Sequence, residues 1–259
     1  MLQKDVDREA LLEAVARGCS ELVEVYSFDR PNLDFPDDEA RKMMISVCGE
    51  KDRLKIDLFS ALMSDASVRN GKVRATPFCA MFGQGHQNFL ERLETVPKGI
   101  PPKELQKTTT AEMLNSAAKL EEALFQPWER HDPTQSFRWD PVEDRRYALR
   151  FEDPSTDKGL TVHGANRLAS LALPLLTAVP KRERGEIRLY ALGTHWEAGA
   201  LIVQWPVWSH PASVKAILFM LAGCGTEGRY PGLGIAELYQ CERISVGKFF
   251  NFTRAMPVR

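Results

Sequence analysis

The sequence predicts an α+β protein, antiparallel sheet covered by helices in a single integrated body, and three observations lead there. Apolar residues recur at helical spacing in well-bounded stretches, above all Thr110–Phe125, Gly164–Leu176 and Ser213–Ala222. Short apolar runs, Glu186–Leu192 and Ala200–Trp208, flank a Gly193–Gly199 turn and read as an antiparallel pair. Asn70-Gly71 between Val68 and Val73 is a hairpin signal, because both residues tolerate the positive φ of a tight two-residue turn.

In chain order, Asp5 to Gly18 reads as a helix stopped by glycine, with Val6, Ala10, Leu11, Ala14 and Val15 near helical spacing. Leu22–Tyr26 then alternates like a strand. Asp29–Asp38, with two prolines and four aspartates, reads as a loop feeding a short helix through Val47. Lys55–Phe59 reads as a strand. Phe89, Leu90, Leu93 and Val96 return to helical spacing, and the run 97–102, with three prolines, interrupts them. That run is the predicted boundary between an N-terminal part, 1–100, and a C-terminal part, 103–259, of what is otherwise one body. Thr110 is placed to cap a helix whose inward face is Met113, Leu114, Ala117, Leu120, Leu124 and Phe125, and Pro127 forbids its continuation. Asp-Pro steps at Asp132, Asp140 and Asp153 mark turns around a strand expected at Arg146–Phe151. The helix Gly164–Leu176 is expected to turn Leu168, Leu171, Ala172 and Leu175 inward.

A chain of 259 residues with 34 Lys and Arg against 35 Asp and Glu generates no global positive field for free-standing, nonspecific nucleic-acid binding. Basic residues lead only from Lys181 onward, a mild hint that the C-terminal part meets an anion. The five cysteines are odd in number and scattered, no signal-like N-terminus is seen, and the longest apolar stretches fall far short of the roughly 20 residues that cross a bilayer. A reduced, cytoplasmic protein with no membrane segment is the expectation.

The search for catalytic chemistry finds little. Gly223-Cys-Gly225-Thr-Glu-Gly228 fits the dinucleotide-binding spacing, but a helix rather than a strand precedes it and Pro231 follows, so it reads as a loop. No phosphate loop, no nucleophile elbow and no paired histidines occur, so no enzyme activity, cofactor or metal is expected. Gln84 and His86, between glycines at a helix start, read equally as a small anion site and as local capping groups. With Asn166 and Arg167 they define one alternative, a small-molecule enzyme or sensor with a pocket at Gln84, His86, Asn166 and Arg167. In the densest segment, Phe137 to Arg150, Arg138, Arg145, Arg146 and Arg150 suit phosphates and Trp139 or Tyr147 suits a stacked base, while Asp140, Glu143 and Asp144 stand ready to pair with the same arginines internally. A scaffold stiffened by such a network is a further alternative. The tail from Arg243 to Arg254, acid-free and mixing Lys248 and Arg254 with phenylalanines, suits a single-stranded nucleic-acid groove or an edge strand with Phe250 and Phe252 buried.

Arg138-Trp-Asp-Pro-x-Glu-Asp-Arg-Arg-Tyr-Ala-Leu149, with Phe125-x-Pro-Trp128 before it and Gly164-Ala-Asn-Arg-Leu-Ala169 and Leu173-Pro174-Leu175 after it, resembles a protein family of CRISPR–Cas loci of subtype I-G, formerly I-U. The Gly83-Gln-Gly-His-Gln-x-Phe-Leu90 run and Ile244-Ser-Val-Gly-Lys-Phe249 are similar to the same family. The family's Asn-Pro-Leu-Gly-Phe-Leu-like opening is replaced here by an amphipathic helix. The resemblance implies a non-catalytic, large-subunit-like or accessory component of an RNA-guided DNA-targeting complex, with the other effector subunits and guide RNA or target DNA as partners. Sequence reading would then be delegated to guide pairing, which suits a net charge near zero. The phosphate-contacting residues implied are Arg138, Arg145, Arg146, Arg167, Lys248 and Arg254, with Asn166 and Trp139 beside them.

Overall fold

The structure is a computed structural model that describes residues 7–79, 88–143, 160–183, 185–224, 233–246 and 249–258. Its helices are α1 (Arg8–Val25), α2 (Asp37–Glu50), α3 (Arg53–Leu62), α4 (Phe89–Lys98), α5 (Ala111–Leu114), α6 (Ala117–Phe125), α7 (His163–Ala172) and α8 (Val214–Ala222). Its strands are β1 (Met63–Arg69), β2 (Lys72–Ala75), β3 (Ala178–Glu183), β4 (Glu186–Ala191), β5 (Thr194–Glu197), β6 (Ala200–Trp208), β7 (Ile235–Val246), β8 (Phe249–Phe252) and β9 (Met256–Pro257). The fold is α+β, and all strand pairs described are antiparallel. Among the described residues no helix is long and apolar enough to cross a membrane. The expected strand at Arg146–Phe151 and the glycine-rich loop 225–232 lie outside the described residues.

Two compact units divide the chain, each assembled from separate stretches. The first, a helical unit of residues 3–33 and 81–173, contains the run 97–102 and packs α1, α4, α6 and α7 together. Helix α1 overrides the expected stop at Gly18 and the expected strand at Leu22–Tyr26. A β-carbon at Gly18 would sit 3.3 Å from Leu171, so the glycine marks close packing, and Cys19, Leu22 and Tyr26 continue the buried face at helical spacing. Tyr26 Oη, fully buried, donates to the Ser170 carbonyl at 2.6 Å.

The expected helix Thr110–Phe125 is two helices. Thr110 Oγ1 does accept from Met113 N at 3.2 Å, but the helix breaks at Asn115, whose amide donates to the Lys98 carbonyl at 3.0 Å and whose own carbonyl accepts from Arg167 Nη1 at 3.2 Å. Of the face expected inward, Leu114 and Leu120 are buried, whereas Met113, Leu124 and Phe125 are exposed.

The strand unit joins residues 34–80 to 174–259. Asn70 and Gly71, at φ 54° and 70°, turn β1 into β2 as expected. Lys55–Phe59 is helical, inside α3: Asp52 Oδ1 accepts from Leu54 N and Lys55 N, and Leu58, Phe59, Ala61 and Leu62 bury a helical stripe. The expected pairing of Glu186–Leu192 with Ala200–Trp208 is also corrected. Residues 194–197 are strand rather than turn, so β6 folds back on β5 through Ala198-Gly199, and β4 pairs with β3. A five-stranded sheet results, in the order β5-β6-β7-β8 with β9 also on β7, and α8 packs on β6.

Candidate nucleic-acid interface

In the helical unit the central segment builds a buried polar network around the start of α7. Asp132 and Thr161 exchange two backbone hydrogen bonds of 3.0 Å. The Asp132 carboxylate, 2 % exposed, accepts from His163 N at 2.8 Å and forms an ion pair with Lys119 Nζ through its other oxygen. It therefore supplies the anion that a helix N-terminus favours, from within the fold. Gly164 allows the approach, since a β-carbon there would lie 2.0 Å from the Lys119 carbonyl oxygen.

Asn166 ties the two strands of chain together: its Oδ1 accepts from Phe137 N at 3.1 Å, and its Nδ2 donates to Thr161 Oγ1 at 2.9 Å and Val162 O at 3.1 Å. Phe137, fully buried, stacks on Trp139 with ring centroids 4.8 Å apart and leans on Phe89 at 5.8 Å. Glu143 accepts from Thr161 Oγ1 at 2.7 Å and from Ser136 Oγ, and burial raises its pKa while those two hydroxyls oppose the shift. Asp140 is held by Arg130 Nε at 2.6 Å and accepts from Val142 N at 3.0 Å.

The inward face of α7 is polar. His163, Gly164, Arg167 and Ser170 are buried; Leu168, Leu171 and Ala172 are only half-buried, and Leu175 is exposed, the reverse of the expected orientation. Groups from 115, 132 and 161–163 meet part of that polar face, while His163 Nδ1 and Arg167 Nε are buried with no hydrogen-bond partner among the described residues. His163 titrates at about 4, chiefly because burial penalises its charged form, with the Arg167 charge adding to the effect.

Of the residues singled out in the sequence, Arg138, Trp139, Asn166 and Arg167 come together in this unit. Arg138 is half-buried with φ 56°, and Trp139 is half-buried against Phe137. Arg167 is 3 % exposed, with its guanidinium turned to the Asn115 carbonyl. Arg254 is exposed, beyond β8 in the strand unit. Arg145, Arg146, Lys248, Gln84 and His86 lie outside the described residues.

The strand unit carries a second constellation. Arg74 on β2, Arg188 on β4 and Arg243 on β7 line one pocket of about 230 Å³ together with Ser67, Glu186 and Trp196. Trp196 holds two of the guanidiniums, Arg188 at 5.0 Å and Arg243 at 6.0 Å from its ring centroid. Arg243 also lies 4.7 Å over the Phe250 ring and donates from Nη1 to the Pro77 carbonyl at 2.9 Å. Burial, with the Arg74 charge beside it, pushes Arg243 down to about 10. Among the described residues neither Arg74 nor Arg243 has a carboxylate partner, and Arg188 reaches Glu183 only at 4.0 Å. Phe250 is 37 % exposed, so the tail is a strand that keeps an aromatic edge at the surface.

The basic and aromatic tail already signalled Arg243. Arg74 and Arg188 carry no local signal, because they meet Arg243 only through the tertiary placement of three strands. Among the described residues no group of three or more His, Cys, Asp or Glu is arranged to hold a metal ion. Compared with known proteins, the chain matches no family model, no curated protein and no solved structure.

Proposed function

We propose that this chain is a non-catalytic, cytoplasmic subunit or accessory of an RNA-guided CRISPR antiviral DNA-targeting complex, contacting nucleic-acid backbone and other subunits. The resemblance of the central string to subtype I-G proteins supplies the system. The observation that carries the nucleic-acid contact is the convergence of Arg74, Arg188 and Arg243 on one pocket, with two of the three lacking a carboxylate partner among the described residues. Such a local surplus supports anion binding in a chain whose net charge is only −1. A shared basic channel in an assembly requires no more of a single subunit.

The test has two parts. Expressed with the other subtype I-G effector subunits and guide RNA, the chain is expected to co-purify with them; a chain that stays alone refutes the assignment to the complex. Measured alone by fluorescence anisotropy, its affinity for single-stranded oligonucleotides is expected to fall with salt, and Arg74→Ala to lower that slope by roughly one phosphate contact. An unchanged slope refutes the contact.

The network at Asp132, Glu143 and Asn166 favours a second, structural role for the described part of the central segment. On that reading, substitutions there lower thermal stability before they lower binding.

A further inference from the structure

We infer that the arginine pocket of the strand unit takes a terminal phosphate, a phosphate monoester, rather than the phosphodiester of a continuous strand. The inference rests on the nucleic-acid reading above and specifies its ligand chemistry. Charge carries the first step. Arg74, Arg188 and Arg243 bring three positive charges to the pocket and Glu186 brings one negative charge, a surplus of two. A phosphate monoester carries about −1.5 to −2 at neutral pH. A phosphodiester carries one negative charge per phosphate and would leave part of the surplus unmatched.

Shape carries the second step. At about 230 Å³ the pocket lies below the roughly 300–1,000 Å³ of sites that enclose drug-sized ligands. It has room for a phosphate and part of the sugar that carries it, whereas a strand passing through would need space for the sugars on both sides. Trp196 is engaged by the Arg188 and Arg243 guanidiniums, so its part is to hold the donors in place rather than to stack a base. Buried Ser67 adds a hydroxyl to the wall. One Arg243 nitrogen, Nη1, is held by the carbonyl of Pro77, which also lines the pocket, and this leaves the rest of its donor fork for a ligand. Holding Arg243 beside Arg74 in a partly desolvated setting is unfavourable without an anion, and its lowered pKa reports that cost.

The experiment uses the full chain and one labelled single-stranded decamer in three forms: 5′-phosphate, 3′-phosphate and both ends hydroxyl. A terminally phosphorylated form is expected to bind at least about tenfold tighter than the hydroxyl form, equivalent to about 1.4 kcal/mol. Arg74→Ala should reduce that preference to less than about twofold. Arg74 is exposed and its side chain makes no hydrogen bond or ion pair among the described residues, so this variant is expected to fold; a matching far-UV spectrum and melting temperature check that.

Inorganic phosphate and a nucleoside 5′-monophosphate serve as competitors and separate a nucleic-acid end from a free small phosphate. Displacement of the oligonucleotide by the monophosphate at micromolar concentration would assign the pocket to the free nucleotide, with the monoester chemistry upheld. Equal binding of all three decamers, still weakened by Arg74→Ala, overturns the monoester inference and leaves the nucleic-acid reading standing. If no decamer binds but the monophosphate raises the melting temperature, the nucleic-acid reading falls and the monoester survives; if neither ligand acts, both fall.

Discussion

Replacing Gly164 with alanine tests the packing that brings the buried network together. A β-carbon at that position would stand 2.0 Å from the Lys119 carbonyl oxygen, 2.7 Å from its carbon and 3.0 Å from Ala123 Cβ. Carbon and carbonyl oxygen rest no closer than about 3.3 Å, so α6 and α7 must separate by roughly 1 Å or more. The obstacle is helix backbone and has no rotamer to escape into. Overpacking of this kind costs about 1–3 kcal/mol, and backbone contact puts Gly164→Ala at the upper end, about 3 kcal/mol. A chain of this size loses roughly 2–4 °C per kcal/mol, which makes the expected drop in melting temperature about 6–12 °C. Separation of the helices also pulls Lys119 away from Asp132, so the loss should appear as a lower denaturant midpoint with an unchanged slope. Gly49→Ala is the control. It sits in α2 with nothing within 4 Å of its β-carbon position, and is expected to be neutral or stabilising by up to about 1 kcal/mol. A Gly164→Ala variant within about 0.5 kcal/mol of wild type would refute the close approach of the two helices.

Three further outcomes follow from the same geometry. Asn166→Ala removes the acceptor of Phe137 N and one of the two partners of Thr161 Oγ1, and should cost about 1–3 kcal/mol in chemical denaturation while leaving the salt dependence of oligonucleotide binding unchanged. His163 has a folded-state pKa depressed to about 4, so its contribution is fully present above the ordinary imidazole pKa of about 6.5 and is lost as pH falls towards 4. The difference in stability between wild type and His163→Phe should shift by on the order of 3 kcal/mol across that window, measured by urea titration at stepped pH, and a pH-independent difference would contradict the burial argument. Thiol labelling should modify exposed Cys48 first, with buried Cys19 and Cys79 reacting only on unfolding; the Cys79 thiol is pushed up to about 12 by burial, which suppresses its thiolate further.

The elements that the sequence made legible are those whose determinants are local. Asn70-Gly71 sets its own turn, and Ser213 caps α8 by accepting a hydrogen bond at Oγ from Ala216 N, three residues on. The elements that differ are set by partners far along the chain or by helical spacing that continues beyond the short apolar run. Residues 22–26 and 55–59 look alternating when read alone, yet extending the first back to Cys19 and the second forward to Leu62 exposes helical spacing, anchored in the second case by the Asp52 cap. The break at Asn115 depends on Lys98 and on Arg167, 52 positions away, and no local pattern contains that information. The same holds for the candidate site. A glycine beside an alanine at a helix start permits close backbone approach, so Gly164 carries a local signal, but its partner Lys119 carries none.

Helix α7 shows why charge density in a sequence is a poor guide to a binding surface. Its leucines favour burial by about 25 cal/mol per Å², yet they stay partly in solvent while His163, Arg167 and Ser170 turn inward. This orientation is tolerable only because the chain brings matching groups to the same place: Asp132 for the helix N-terminus and the Asn115 carbonyl for Arg167. Where acids and bases alternate along a segment, the nearest available partner is usually within reach of the same fold, and folding consumes the pairing capacity. Asp140 illustrates it, being bound to Arg130 just upstream. Arg74, Arg188 and Arg243 arise differently. They are supplied by three strands from distant parts of the sequence; among the described residues Glu186 is the one acid lining the pocket, and Glu183, 4.0 Å from Arg188, is itself paired with Lys181 at 3.2 Å. A positive surplus assembled this way leaves donor capacity that no neighbouring carboxylate takes up. That is the physical reason to look for the ligand in the strand unit, at arginines that are unremarkable in the sequence, rather than at the described part of the segment where charge is most concentrated.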